Sequence, residues 1–161
     1  LAQASIDLDG SETTPSLTDS LVELSDHLLQ DYLPKYLAGQ LTPYPQSAST
    51  EPTYSRKLSK NEADLDWTKP AARLEQEIRA FHGWPGSRTN LGDLPVIITK
   101  AAVGANTDLA PGALSITSNS LSVAAGDKLL IIESIKPAGK KEMPIQAFLA
   151  GYRSRLQNLD T

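Results

Sequence analysis

Between Tyr54 and Gly86 the chain runs Lys57-Leu58-Ser59-Lys60-Asn61-Glu62-Ala63, then Leu65-Asp66-Trp67. A short amphipathic segment follows, ending in Ile78-Arg79-Ala80-Phe81-His82-Gly83-Trp84-Pro85-Gly86. Ser59 followed three residues later by Glu62 is a capping box, so a helical turn is expected to start after Ser59, with Lys57 and Lys60 exposed beside it. Pro70 suits the first turn of a second helix because its missing N–H would be unpaired there anyway. Ala71, Leu74, Ile78 and Phe81 recur at helical spacing as a buried stripe, with Arg73, Glu77 and Arg79 off it. That helix is expected to stop at Gly83, where Trp84-Pro85-Gly86 turns the chain out. Large aromatics flanking a short helix are more often core anchors than base-stacking platforms, so Trp67 and Trp84 are expected to be buried.

Outward toward the C-terminus, the period changes. Pro95–Lys100, Ala113–Thr117, Leu121–Ala124 and Lys128–Lys136 read as short strands separated by the turn sequences Ala110-Pro111-Gly112, Ser118-Asn119-Ser120 and Gly126-Asp127. Four or five such strands joined by tight turns suggest a small antiparallel barrel, of oligonucleotide-binding or SH3-like type. After the turn Pro137-Ala138-Gly139-Lys140-Lys141, the segment Pro144–Leu156 returns to helical spacing and is expected to close one end of the barrel.

Toward the N-terminus the character differs. Residues 1 to 53 carry eight acidic side chains and only Lys35 as a base, a net charge of −7, whereas the remainder carries +3 within the total of −4. Such asymmetry suggests two units with different partners, and the small basic excess does not by itself signal nucleic acid. Ser5-Ile6-Asp7-Leu8-Asp9 alternates like a half-buried strand that Pro15 then ends. Ser16 with Asp19 is the expected start of a helix running to about Gln30, in which Leu17, Leu21, Leu24 and Leu28 form one apolar stripe that needs a covering surface. Pro34 is expected to kink or end it, with Gly39 as a stop. His27, beside that stripe, reads as a solvated helix histidine. Residues 41 to 53, with three prolines and no apolar period, read as an extended connector.

Several classes are disfavoured at once. The chain has no cysteine and two histidines, His27 and His82, so a thiolate or histidine metal site is not expected. Its longest apolar run, Leu129-Leu130-Ile131-Ile132, falls far short of the roughly 20 residues that cross a bilayer. With no signal-peptide pattern, a soluble cytoplasmic location is expected. The only methionine is Met143, so the chain is expected to be a piece of a longer protein. Neither a G-x-S-x-G elbow, a phosphate-binding glycine loop nor an H-E-x-x-H helix occurs. Asp64 and Asp66 are a carboxylate pair by spacing, but acids at a helix entrance are expected to cap it rather than to catalyse.

Taken together, Lys57–Ala63, Asp66-Trp67, Ile78–Pro85 and Pro137–Lys141 resemble, in order and separation, the C-terminal region of the methionyl-tRNA formyltransferase family. The resemblance extends more weakly over nearly the whole chain. It implies an α+β, mainly β, fold with an antiparallel oligonucleotide-binding-fold-like barrel, flanking helices, and a preceding strand-helix remnant of a Rossmann-like catalytic domain. Residues 1–40 would be that remnant, 41–53 the linker and 54–161 the tRNA-binding domain. It implies a partner, methionyl initiator tRNA, held through its backbone, and a formyl donor, 10-formyltetrahydrofolate, used by the parent enzyme but not bound by this part. The family's catalytic asparagine and histidine lie in an N-x-H motif absent here, so no catalytic residue is assigned. The tRNA-binding candidates are Arg56, Lys57 and Lys60 around the capping box, Arg79 and Arg88 flanking the Trp84 turn, and Lys136, Lys140 and Lys141 at the second turn. Composition alone would make these ordinary solvated cations; the resemblance is what turns them into phosphate contacts. Two departures stand out, since the family usually has proline at the position of Gly83 and often asparagine at that of His82. The alternatives are a formyltransferase acting on a nucleotide sugar or a folate, or a protein-interaction barrel. The stripe of Leu17, Leu21, Leu24 and Leu28, without the catalytic domain's sheet, is expected to dock on the second unit or on another copy of the chain.

Overall fold

The computed structural model describes residues 1–45 and 51–157, and it divides into two compact units, Leu1–Lys57 and Leu58–Thr161. Part of the expected connector, residues 46–50, lies outside the described residues.

The first unit is organised by one helix, α1 (Thr14–Leu37). Its N-cap is Thr13 rather than Ser16: the Thr13 N–H donates to Ser16 Oγ at 3.0 Å and the Ser16 N–H returns to Thr13 Oγ1 at 3.3 Å. Pro15 thus falls in the first turn, where a proline costs no hydrogen bond. The helix also runs past the expected end at Gln30 and carries Pro34 inside its last turn, where only one ladder bond is lost before the chain stops anyway. Gly39, at φ +70°, supplies the left-handed residue just beyond. Leu17, Leu24 and Leu28 are half-buried, but Leu21 is 44% exposed and no residue of α1 is buried. The strand expected at Ser5–Asp9 does not form, because an isolated alternating segment has no ladder to join.

The second unit contains a 3-10 turn (Lys60–Ala63), α2 (Ala71–Ala80), β1 (Ser87–Leu91), β2 (Leu94–Asn106), β3 (Leu114–Ile116), β4 (Leu121–Ala124), β5 (Lys128–Pro137), β6 (Met143–Pro144) and α3 (Ile145–Gln157). The Ser59 box forms as expected, with the Ser59 N–H donating to Glu62 Oε1 at 2.7 Å. All strand pairs are antiparallel, in the order β1-β2-β5-β4-β3, with β6 on β5. Among the described residues β1 and β3 do not pair with each other, so the sheet is open rather than a closed barrel. β2 is far longer than the expected Pro95–Lys100 and bends through register shifts after Ile98, Lys100 and Val103.

Inward rows of the sheet meet Leu74 and Ile78 of α2 and Ile145, Phe148, Leu149 and Leu156 of α3 in one core, with Leu121, Leu130, Ile132 and Ile135 at 1% exposure or less. Each such side chain contributes roughly 1.5–3 kcal/mol through burial. Trp67 is half-buried against this core, its Nε1–H donating to Thr89 Oγ1 at 3.1 Å. Trp84 is not a core anchor: it is 54% exposed, since Gly83 and Gly86, both with positive φ, carry the turn away from the sheet. Glu77, expected off the buried face, is 8% exposed and held by Lys69 Nζ and Arg73 Nε at 2.9 and 3.0 Å. Phe81, expected in the stripe, is only half-buried because the helix ends at Ala80.

The start of α2 is fixed from afar. Pro70 offers no side-chain cap, and the free Ala71 N–H donates to Asp127 Oδ1 at 2.8 Å, across 56 residues of sequence. Beside it the Gly126 N–H donates to Lys69 O at 2.9 Å, and a Cβ on Gly126 would sit 2.2 Å from the Thr68 carbonyl oxygen. At the other end of the unit, α3 is tied to two turns. Arg153 Nη2 donates to the carbonyls of Thr117 and Ser118, and Arg155 Nη2 pairs with Asp93 Oδ2 at 2.7 Å. The Arg155 hydrogen bond holds the Asp93 carboxyl below the usual carboxylate range.

Thermal melting and acid unfolding test these ties. Asp127→Ala should cost about 1 kcal/mol, as loss of a helix cap does, or roughly 4–8 °C in a domain of this size. Gly126→Ala should cost more, because its clash is with backbone that cannot swing aside; equal melting points for the two variants would refute this docking. A carboxyl with a depressed folded-state pKa stabilises above its unfolded value, about pH 4, and that contribution is lost as pH falls through the lower folded value. Asp93→Asn should therefore lower stability near neutrality and cost nothing at the acid extreme, so that stability falls less steeply with acid below about pH 4.

Candidate nucleic-acid interface

β1 lies outside the strands expected from the sequence, yet it decides the surface chemistry. Leu91 pairs with Leu94 around the two-residue Gly92-Asp93 turn, with Gly92 at φ +62°. The ladder then sets Arg88 opposite Ile97, and the next ladder sets Ile97 opposite Lys136. Directly paired residues point to one face, so Arg88, Ile97 and Lys136 form a row across three strands, on the side away from the buried row Ser87, Ile98, Ile135. Asn90 and Pro95, two pairs further toward the turn and again opposite each other, share that outward face.

These side chains line an open groove of about 580 Å³. Its floor is apolar, from Leu65, Pro95, Val96 and Ile97; its walls are Asp64, Arg88, Thr89 and Asn90 on one side and Lys136 with Pro137-Ala138-Gly139 on the other. The Ala138 N–H donates to Pro95 O at 3.1 Å, and the Lys140 N–H donates back to Pro137 O at 3.0 Å, with Gly139 at φ +71°. This turn closes one end of the groove and places Lys140 and Lys141 just beyond it. A smaller pocket of about 120 Å³ adjoins through Ile97 and Lys136 and includes His82, Thr99 and Glu142. There the Thr99 hydroxyl donates to Glu142 Oε1 at 2.7 Å, and His82 Nδ1 lies 3.2 Å from Thr99 O.

The sequence-derived cations are thereby sorted. Arg88 braces the fold: its Nη2 donates to Lys60 O at 2.5 Å and pairs with Asp64 Oδ1 at 3.0 Å, while the Leu65 N–H donates to Arg88 O at 2.9 Å. This pins the Lys60–Asp64 turn against the outer edge of β1. Arg79 pairs with Glu75 at 2.6 Å along α2 and does not line the groove. Lys136, Lys140 and Lys141 are exposed, and their ammonium groups make no ion pair among the described residues. Lys60 is exposed and does not line the groove; its carbonyl, not its ammonium group, makes the contact with Arg88. Arg56 and Lys57 belong to the other unit, both exposed. Sequence reading misses Asn90, Thr89 and the apolar floor, because the strand from Ser87 to Leu91 opens with four polar residues in a row and shows no alternation.

Of the two acids, only Asp66 caps the chain locally; Asp64 instead pairs with Arg88. Asp66 accepts from the Thr68 hydroxyl at 2.6 Å and the Thr68 N–H at 3.1 Å, and these bonds, the hydroxyl first, keep its carboxyl below the ordinary range. Asp64 is neutralised by Arg88. No group of side chains suited to a metal ion occurs among the described residues, and no helix there is long and apolar enough to cross a membrane.

Comparison with known proteins matches residues 57–153 to the family described as formyl transferase, C-terminal domain. Similar curated proteins include methionyl-tRNA formyltransferases from Roseiflexus castenholzii (36% identical over 95% of this chain and 49% of that protein) and Halorhodospira halophila (37% over 95% and 50%). One from Listeria monocytogenes is 34% identical over 94% of the chain and 49% of its own length. The chain thus spans about half the length of the curated relatives it matches. Among solved structures, a HypX variant from Aquifex aeolicus shares the fold at a TM-score of 0.70 and 14% identity, over 92% of this chain and 28% of that one. HypX in complex with tetrahydrofolic acid aligns at 0.60 over 78% of this chain and 22% of that one, at 16% identity.

The two classes of cation separate in a stability measurement. Arg88→Ala should destabilise the chain to urea by about 1–3 kcal/mol, because it strips partners from the Lys60 carbonyl and Asp64 together. Lys136→Ala should stay within about 0.5 kcal/mol of the parent. Equal costs would mean that Arg88 does not hold the Lys60–Asp64 turn.

Proposed function

The chain belongs to the formyl transferase C-terminal domain family, and on that premise we propose that it is the tRNA-binding part of a methionyl-tRNA formyltransferase. The parent enzyme would formylate the amino group of methionyl initiator tRNA from 10-formyltetrahydrofolate, in the cytoplasm, at the start of translation. The single observation that carries this reading is identity of 34–37% to proteins of that name over 94–95% of this chain. The formyl donor and the reacting groups belong to the other half of the parent.

Within this reading, residues 1–40 are the end of the catalytic domain, 41–53 the linker and 54–161 the tRNA-binding domain, of oligonucleotide-binding-fold type. A partly open sheet of five main strands fits that fold. Leu17, Leu21, Leu24 and Leu28 then cover apolar surface of the rest of the parent, or of a second copy when the rest is absent. The binding surface is built on Lys60, Lys136, Lys140 and Lys141, with Arg79 and Arg88 at its margin. Arg56 and Lys57, which precede it in the chain, are further phosphate contacts.

Its mechanism is positioning. Ammonium groups on turns reach phosphates without demanding a base, so they hold the tRNA backbone and orient its acceptor end toward the catalytic half. Releasing three to five counterions gives a log-log salt slope of about −3 to −4. Filter binding of initiator and elongator tRNAs to the chain across a salt series should show that slope with little difference between the two. Changing Lys140 and Lys141 together to alanine should flatten it by about one to two units for both. A salt-independent affinity, or a double variant that loses only the initiator species, would contradict phosphate attraction as the mechanism.

A further inference from the structure

Phosphate attraction by Lys136, Lys140 and Lys141 needs only a flat surface, yet these lysines stand beside a groove with an apolar floor. From that groove we infer a second mode of contact: it receives one unpaired nucleotide of the RNA, base inward and phosphate at the rim. This deepens the tRNA reading and rests on it.

Size is the first argument. The groove, at about 580 Å³, lies within the range of roughly 300–1,000 Å³ typical of sites for small organic molecules, whereas the neighbouring pocket, at about 120 Å³, is too small for a base. The lining is the second. Pro95 and Ile97 present flat apolar surface on the outward face of β2, flanked by Leu65. A planar base laid on them leaves water on one side, and a paired base cannot enter, because its partner and its stacked neighbours would have to come too.

The polar groups fit a base edge and a phosphate in different places. Asn90, exposed on β1, offers both a donor and an acceptor at one wall. Asp64 lies on the same wall, where a bare carboxylate would repel a phosphate, but it is paired with Arg88 at 3.0 Å and that wall carries no net charge. The opposite wall is Lys136, with Lys140 and Lys141 beyond the turn. The groove is therefore neutral where the base edge would lie and cationic where the phosphate would lie, which is the polarity of a nucleotide entering sideways.

The test uses two RNA probes on the whole chain: a single-stranded tetra-adenylate and a blunt duplex of about twelve base pairs, roughly one helical turn, each titrated while backbone amide shifts are followed by NMR. The tetramer should move the amides of Thr89, Asn90, Ile97 and Ala138; the duplex should move only those around Lys140 and Lys141. Ala138→Glu places a carboxylate in the groove from an exposed turn residue, and it should weaken tetramer binding at least tenfold while leaving duplex binding within twofold. Tetramer shifts confined to the Lys140-Lys141 turn, or Ala138→Glu without effect on the tetramer, would overturn the inference even if tRNA still bound with a steep salt slope. Tetramer shifts in the groove of a chain that did not bind tRNA would sustain the nucleotide site and overturn the tRNA reading instead.

Discussion

Everything in the larger unit hangs on the contact between the Gly126-Asp127 turn and the first residues of α2. Helix α2 begins after a proline that cannot cap it, so its first free N–H must find an acceptor elsewhere. It finds Asp127, in the turn between β4 and β5, while Gly126 donates to the Lys69 carbonyl alongside. Neither partner can be replaced locally. The aspartate is needed because it accepts; the glycine is needed because the Thr68 carbonyl occupies the space of any Cβ. Once this contact is made, the axis of α2 is set against the sheet, Leu74 and Ile78 enter the core, and Glu77 is drawn into the pair of cations that neutralise it.

The groove is a second result of the same alignment. Because the segment before α2 is held, Asp64 and Leu65 can lie along the free edge of β1, where Arg88 bonds both the Asp64 carboxylate and the Lys60 carbonyl. An exposed strand edge is thereby covered, and one wall of the groove is built from what would otherwise be a loose loop. The other wall follows from the register of β5, which puts Lys136 level with Ile97 and Arg88. One cation is consumed by structure so that the others stand over an ordered surface.

Much of this can be read in the chain where the cause is local. The Ser59-Glu62 box, the stripe of Ala71, Leu74 and Ile78, strand β4 and the closing helix from Ile145 carry their signal in a few neighbouring residues, and all form near their expected places. What escapes reading depends on partners far away in sequence. β1 is polar on four consecutive residues and becomes a strand only because β2 folds back on it. Glu77 is buried because Lys69 and Arg73 reach it, which helical periodicity alone ranks as improbable. Trp84 points outward because two left-handed glycines turn the chain there, and Thr13 displaces Ser16 as cap because the proline between them fits the first turn. Of the eight candidate cations, type and exposure are legible from sequence; that Arg88 braces a loop while Lys136 stands free is not, since it follows from strand register.

The β2–β5 ladder has a further consequence. β1 and β2 with α2 form one contiguous stretch of chain, and β3 to β6 with α3 form another; they are joined by that ladder, by the Asp127 and Gly126 bonds, and by the Arg155–Asp93, Thr99–Glu142 and Ala138–Pro95 contacts. Covalently they meet only through the exposed residues Asp108 to Pro111, which belong to no strand. A backbone cut there would sever no ladder bond. The domain is in effect two interlocking pieces tied by a short string, and its pieces, made separately, would carry complementary edges and complementary halves of one core.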